Sequence, residues 1–185
     1  GVQTCALPIY LAPEGMAVGT VNGSGTPIVF PSSVDTNSST PATEEEQTIS
    51  LGYTPVTSDL YYSSGYLGTL RIPAIGLSVR VYEGTDSSTL MKGAGHFKGT
   101  SIWDGNCAIA GHNRGVRDDF GDLHTLERGD TITWTTKLGA RTYEVTSVEK
   151  VKETDTSGTA PSTENMLTLY TCVRNQRAYR WQVQA

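Results

Sequence analysis

The stretch Leu167-Thr168-Leu169-Tyr170-Thr171-Cys172 alternates aliphatic residues with more polar ones, and this spacing of two predicts a β-strand with two different faces. Leu167 and Leu169 share one face, whereas Cys172 lies on the other. If the aliphatic face packs into the core, the thiol of Cys172 points away from it. The sequence therefore predicts a strand that carries a possible nucleophile at its end.

A second alternating stretch follows at residues 179–184. Trp181 and Val183 share one face of this predicted strand, and Arg180 lies on the opposite face. If the aliphatic faces form the core, Cys172 and Arg180 both point outward onto a wall of the sheet. We interpret that wall as a place for a substrate groove and not as a packing position.

The rest of the domain also has β-character. Further strands are predicted at residues 70–72, 77–81, 107–110, 131–135 and 141–152. A turn is predicted at residues 73–76, and short helices at 86–92, where Asp86 is the N-cap, and at 118–126. Seven or eight strands with only short helices favour a closed barrel or a sandwich.

Composition limits the class of protein. The 185 residues have room for one ordinary domain, and a net charge of −5 gives no basic footprint for nucleic acid. Cys5, Cys107 and Cys172 are too few for a disulfide framework, and their odd number leaves at least one free thiol.

The N-terminal part of the sequence has a different texture. Residues 1–9 resemble the translation of a sequencing adapter, so we expect the native sequence to begin near Tyr10. Residues 10–66 are rich in Gly, Ser, Thr and Pro and have no sustained apolar period, which predicts a flexible linker. The catalytic domain is expected at residues 67–185, cut short within its last strand. A missing signal peptide or membrane anchor therefore carries no information.

Three residues have the chemistry of a cysteine acyl-transfer site. A thiolate is the reactive form of Cys172, and His112 follows a buried strand in a glycine-flanked loop suited to the border of a cleft. Arg180 can donate two hydrogen bonds to a carbonyl or to the oxyanion formed from it. Each residue alone also has a non-catalytic interpretation: Cys172 as a buried thiol, His112 as a structural histidine and Arg180 as a solvated arginine.

The segment Thr168-Leu169-Tyr170-Thr171-Cys172 resembles the T-L-x-T-C signature of sortases, the cell-surface transpeptidases of mainly Gram-positive bacteria. The resemblance covers residues 67–185, with further matching segments at 67–77, 81–84, 95–101, 108–113, 120–123 and 129–130. It implies a mainly β fold, a closed eight-stranded β-barrel. It also implies that His112, Cys172 and Arg180 are the catalytic residues.

The resemblance leaves some assignments open. Arg174 and Arg177 are rivals for the arginine role, but the family's arginine starts the last strand, which favours Arg180. Thr171 is a candidate for shaping the oxyanion site. Residues 59–68 do not provide the Asp-Pro-aromatic lid of the pilin-assembling enzymes, and the motifs look closer to class D or E.

The implied reaction is cleavage of an LPxTG-like sorting signal through a thioacyl intermediate, followed by transfer to an amine on a cell-wall precursor or another protein. The implied location is the extracellular face of the membrane, with a membrane anchor in the full-length protein. We expect no cofactor and no metal, since the histidines and cysteines lack close ligand spacing.

Two alternatives remain from the residues alone. A papain-like protease also uses Cys and His, but in the opposite chain order and in a partly helical domain. A non-catalytic surface β-domain is the other. Among the remaining chemistry-bearing residues, we expect His96 and His124 to be structural or exposed, and Cys107 to lie in the core.

Overall fold

Nine short strands form one mixed sheet in the computed structural model, which describes residues 52–185. The strands are β1 Gly68–Ile72, β2 Leu77–Glu83, β3 Ala94–His96, β4 Asn106–Ala110, β5 Thr131–Thr136, β6 Gly139–Glu144, β7 Ser147–Lys152, β8 Met166–Val173 and β9 Gln176–Gln184. One short α-helix, α1 (Ser87–Leu90), and four 3-10 turns at Ser58–Leu60, Pro73–Ile75, Leu123–Thr125 and Ser157–Thr159 complete the described elements.

The order of the strands requires the sheet to curl. It runs β6-β5-β1-β2-β3-β4-β8-β9-β7, so β6 and β7 are its edges. Only Val145 and Thr146 separate these two strands in the chain, and the edges must therefore approach each other. The predicted mainly β, barrel-like fold is confirmed. The structure has two strands more than the seven predicted ranges. The strand β3 was not predicted, and the predicted strand 141–152 is interrupted where Val145 N–H donates to Asp130 O and Thr146 N–H donates to Gln184 O.

Local sequence signals explain the first turns of the domain. Pro73 opens a 3-10 turn that ends at Gly76, whose φ of 63° lies in the left-handed region that glycine adopts without strain. Asp86 caps α1 by accepting a 2.8 Å hydrogen bond from Thr89 N–H. The predicted turn and the predicted short helix after Asp86 are both confirmed.

The helix predicted at 118–126 is wrong. Within that range the structure has only the 3-10 turn Leu123–Thr125. Phe120, Leu123 and Leu126 are buried at a spacing of three, which fits a 3-10 repeat better than the 3.6-residue α-helical repeat. Phe120 N–H also donates to His112 O at 2.8 Å, outside any helical ladder.

Two apolar clusters lie on the two faces of the sheet. The main core contains Leu167, Leu169 and Val183, as the alternation predicts. A second cluster lies on the other face of β4 and β8. Its members are Leu90, Phe97, Ala108, Ala110, Tyr170 and Cys172.

The second cluster corrects the predicted outward wall. Cys172 and Arg180 lie opposite the main core, but they are only 6% and 2% exposed. Alternation along a strand predicts which face of the sheet a residue lies on. It does not predict that Leu90 of α1 and Phe97 of the loop after β3 pack on that face. Cys172 therefore packs against neighbours as well as bordering a cavity.

Residues 52–66 differ from the linker prediction. Leu60 is 4% exposed within the main core, and Gly52 N–H donates to Ser162 O at 3.0 Å. Ile102 N–H donates to Thr54 O at 3.0 Å, so this segment packs along the barrel. The adapter-like residues and the rest of the predicted linker lie outside the described residues. Within residues 52–185, no helix is long and apolar enough to cross a membrane.

Candidate active site

Parallel pairing of β4 and β8 brings His112 and Cys172 to the same edge of the sheet. Ala110 is the register partner of Tyr170, and Gly111 N–H continues the pairing by donating to Tyr170 O at 3.1 Å. Each candidate residue lies two positions beyond this pair. Parallel strands end on the same side of a sheet. His112 and Cys172, which follow the paired ends of β4 and β8, therefore lie close together although they are far apart in sequence.

The β8–β9 hairpin changes register directly after Cys172. Cys172 pairs with Arg180, whereas the adjacent Val173 pairs with Gln176, so the ladder is irregular between Cys172 and Val173. Asn175 adopts a φ of 63° in the tight turn, a conformation that asparagine tolerates better than most residues. Such irregularities bend a strand and re-aim its side chains. Here the irregular hairpin forms one wall beside Cys172.

Hydrogen bonds fasten the His112 loop to the Cys172 strand. The Asn113 side-chain amide donates to the carbonyl of Cys172, and Thr171 Oγ1 donates to Gly111 O at 2.7 Å. The Arg174 guanidinium donates to Asn113 O at 2.9 and 3.2 Å. These bonds restrict movement between the two segments that carry the candidate residues.

Sequence reasoning did not assign roles to Asn113 and Arg174 in this fastening. Asn113 directly follows His112 in segment 108–113, which is part of the resemblance to sortases, and this position is the signal that could have identified it. Thr171 was predicted near an oxyanion site, whereas its hydroxyl is engaged with Gly111 O. Gly111 itself has no room for a side chain, because a Cβ there would lie 2.8 Å from the Phe120 ring.

A cavity of about 160 Å³ opens at this edge. It is lined by residues 112–117, by residues 172–177 and by Met91, so His112 and Cys172 both line it. His112 is half-buried and Cys172 is nearly covered. Cys172 thus lines the cavity while most of its surface is packed.

The guanidinium of Arg180 is engaged with its own hairpin. Nη1 donates to Arg177 O and Tyr179 O, both at 2.8 Å, and Nη2 lies 3.3 Å from the Glu153 carboxylate. Burial lowers the pKa of Arg180, and Glu153 opposes that shift. Arg180 is therefore the strand neighbour of Cys172 without lining the cavity, whereas its rivals Arg174 and Arg177 do line it.

The charge state of His112 is set by its surroundings. Burial lowers the pKa of His112, Asp119 acts to raise it, and Arg117 acts to lower it further. Arg117 and Asp119 form an ion pair, with Nε 2.8 Å from Oδ2. The lowered pKa favours the neutral imidazole, which has a ring nitrogen able to accept a proton.

The two cysteines of the described segment are in different covalent states. The sulfur of Cys172 is disulfide-bonded in this structure, whereas Cys107 is a buried free thiol. Nucleophilic chemistry at Cys172 requires the reduced sulfur. Any activity therefore has to be measured under reducing conditions.

A second cysteine–histidine pair lies in the interior. Cys107 is fully buried, as predicted, and together with Glu83 it acts to raise the pKa of the His96 imidazole. His96 Nδ1 lies 3.1 Å from a Glu83 carboxylate oxygen, and Nε2 lies 3.0 Å from the carbonyl oxygen of Ser101. Both of these partners can only accept hydrogen bonds, so both ring nitrogens donate and the ring is an imidazolium.

The structural predictions for the other histidines are confirmed in outline. His96 is structural, and its connections are more extensive than its sequence context suggests. His124 is exposed and stacks on Trp181, with ring centroids 5.5 Å apart.

Comparison with known proteins is consistent with this architecture. The Sortase domain family matches residues 70–185. Sortase A of Listeria monocytogenes is 28% identical over 116 residues, covering 60% of this chain and 51% of that protein. Sortase D of Bacillus subtilis is 36% identical over 92 residues, covering 49% and 45%. The crystal structure of sortase C-1 from Actinomyces oris matches with a TM-score of 0.62 at 28% identity, covering 65% of this chain and 72% of that one.

The chain spans about half the length of these two curated relatives. Because the matched proteins carry the names sortase A, C and D, the matches bear on the family and not on a class within it.

Proposed function

The chain belongs to the sortase family, and on that premise we propose that it is a cysteine transpeptidase with Cys172 as nucleophile and His112 as its proton-transfer partner. The observation that carries the proposal is the common cavity of His112 and Cys172 at the end of the parallel strands β4 and β8. Its substrates are proteins with an LPxTG-like sorting signal.

The first half of the reaction forms a thioester. The proton of the reduced Cys172 passes to neutral His112, and the thiolate attacks the carbonyl carbon of the threonine in the sorting signal. The resulting tetrahedral oxyanion collapses and breaks the carbon–nitrogen bond. The imidazolium of His112 gives its proton to the departing amine.

The second half returns the enzyme to its starting state. An acceptor amine, on a cell-wall precursor or on another protein, attacks the thioester carbonyl. His112 takes a proton from the attacking nitrogen and returns it to the leaving sulfur of Cys172, so that a new amide and a free thiol result. Water in place of the amine gives hydrolysis.

Arg180 is the proposed donor to the substrate carbonyl and to the oxyanion. Its pairing with Cys172 across the β8–β9 ladder supports this role. Arg174 and Arg177 remain the alternatives because they line the cavity.

The proposed setting is the outer face of the membrane, with an anchor elsewhere in the full-length protein and a class D- or E-like enzyme type. We also propose that residues 1–9 are adapter-derived sequence and that residues 10–51 are a linker. The catalytic domain then consists of residues 67–185, with residues 52–66 packed against it.

A transfer assay separates this function from the alternatives. The reduced full chain is incubated with a fluorescent LPxTG-type peptide and an amine acceptor, and products are resolved by mass. A peptide–acceptor amide is expected, and Cys172→Ala should abolish it. Hydrolysis alone, unaffected by added acceptor, would favour a protease-like role, and no thiol-dependent product at all would favour a non-catalytic domain.

A further inference from the structure

Four arginines surround the cavity at Cys172. Arg114 and Arg117 come from the loop after β4, whereas Arg174 and Arg177 come from the β8–β9 hairpin. Among residues 52–185, no Asp, Glu or Lys lines the cavity. In a chain of net charge −5, this concentration makes the cavity rim electropositive.

Two of these arginines are already engaged within the protein. Arg117 forms a two-pronged ion pair with Asp119, and Arg174 donates to Asn113 O. Arg114 and Arg177 are exposed and form no ion pair with any residue in 52–185. One uncompensated guanidinium therefore extends from each wall of the cavity.

Apolar side chains complete the lining. Met91 is 49% exposed and Val116 is 88% exposed, and they are two of the four large hydrophobic residues that are exposed among the described residues. An exposed apolar surface beside a binding cleft is typical of contact with another molecule. The cavity thus combines two available cations with apolar contacts.

We propose that the rim formed by Arg114 and Arg177 selects sorting signals that carry acidic side chains in or directly before the motif. This inference rests on the proposed function, since it concerns the peptide bound at Cys172. A guanidinium matches a carboxylate with two parallel hydrogen bonds, which a lysine ammonium does not reproduce. Met91 and Val116 offer contacts for the apolar residues of the same peptide.

The mixed lining favours an acidic peptide over an anionic acceptor. A phosphate-rich acceptor gains little from Met91 and Val116, whereas a peptide that alternates apolar and acidic side chains gains from both parts of the lining. The acceptor also enters only after the thioester has formed. A preference in the first half-reaction therefore belongs to the peptide.

Two isosteric peptides test the inference. One carries glutamate at the variable position of the motif and at the two preceding positions, and the other carries glutamine at all three. The value of kcat/KM for cleavage without acceptor is measured for the reduced full chain at low salt and in 0.5 M salt. The strength of exposed charge pairs predicts a roughly three- to tenfold preference for the glutamate peptide at low salt. The preference should decline at high salt, because salt screens these charges.

Variants assign the preference to the rim. Arg114→Gln combined with Arg177→Gln should bring the ratio between the two peptides to about one, and the corresponding changes to Glu should invert it. The ratio is taken on one enzyme preparation, so a loss of total activity cancels. Arg71→Gln combined with Arg80→Gln removes two exposed charges from β1 and β2, outside the cavity lining. This matched control should keep the wild-type ratio.

The outcomes are distinguishable from failure of the proposed function. If neither peptide is cleaved, the proposed function fails. If both are cleaved at equal rates, or if the preference survives the double substitution, the inference about the rim is overturned while the function stands. Equal peptide rates combined with a preference for phosphate- or carboxylate-bearing acceptors would also overturn it, because the rim would then serve the acceptor.

Discussion

The domain contains two cysteine–histidine pairs with opposite environments. Cys172 and His112 line a cavity at the sheet edge, where burial lowers the pKa of His112. Cys107 and His96 lie in the interior, where Glu83 and the Ser101 carbonyl oxygen hold His96 as an imidazolium. The same two residue types can therefore serve either chemistry or structure, and access and hydrogen-bond partners decide between them.

The environments also explain why Cys107 and His96, the inner pair, are unsuited to acyl transfer. Cys107 is 0% exposed and has no route to a peptide substrate, and His96 has both nitrogens committed as donors. A general base needs a nitrogen that can accept a proton. His112 is half-buried at the cavity and its lowered pKa favours the neutral ring, so it meets that requirement.

The largest expected difference between the pairs is in activity after loss of each histidine. His112→Gln should lower the rate of peptide transfer by about a thousandfold, within the range for loss of a general acid–base group. His96→Gln should retain most of the activity per folded molecule. Transfer rates normalised by the folded fraction from circular dichroism check this. Equal losses in the two variants would remove the distinction.

Thiol accessibility should differ almost as strongly. In the reduced, folded protein, a small alkylating reagent should label Cys172 at least about a hundredfold faster than Cys107, because the buried thiol reacts only after local or global opening. Peptide mapping by mass spectrometry measures both rates in one sample. Denaturant should make the two rates similar, and comparable labelling without denaturant would contradict the burial of Cys107.

Stability should depend on the inner pair through Glu83. Glu83→Gln leaves the buried imidazolium of His96 without its carboxylate and should cost about 2–3 kcal/mol in the free energy of unfolding. This is less than for a fully buried pair because the Glu83 side chain is 17% exposed. Urea unfolding at pH 6 measures the difference. Asp119→Asn, at the ion pair with Arg117, is the control and should change stability by far less.

The pH dependence of this effect has a definite sign. Although burial opposes the charged ring, hydrogen bonding with Cys107 and Glu83 raises the pKa of His96 from 6.5 to about 10. A raised folded-state pKa gives stability that is fully present below 6.5 and is lost as the pH rises toward 10. The difference between wild type and Glu83→Gln should therefore shrink over that window. A difference that grows with pH would contradict the imidazolium assignment.

The smallest expected effect concerns the pKa of His112, in the outer pair of His112 and Cys172. Asp119→Asn removes the carboxylate that acts to raise the pKa of His112 and leaves the opposing charge of Arg117 uncompensated. The pKa of His112 should fall, and the limb of the pH–rate profile that reports it should move to lower pH. Transfer assays over a pH series measure the shift. A shift to higher pH would show that Asp119 acts on His112 in another way.

The contrast between the pairs was only partly predictable from the sequence. Alternation in residues 167–172 predicts the strand and the face of Cys172, and Asp86 and Gly76 predict their local turns from intrinsic preferences. The environment of His96 depends on Glu83, thirteen residues earlier on a neighbouring strand, and on a loop carbonyl. Such contacts come from the sheet order, which strand patterns do not specify.

The same reason explains the errors at the site. The cluster that Cys172 forms with Leu90 and Phe97 depends on how α1 and the loop after β3 fold over β4 and β8. The engagement of Arg180 with its own hairpin depends on the irregular register after Cys172. Neither feature has a local signal in the residues concerned.

The central claim is that Cys172, and not Cys107, carries the acyl intermediate. The most direct test incubates the reduced full chain with a sorting peptide, quenches with acid and locates the added mass by peptide mapping. We expect a thioester adduct on Cys172 that disappears when an amine acceptor is added and that is absent in Cys172→Ala. An adduct on Cys107, or peptide transfer that persists in Cys172→Ala, would contradict the account.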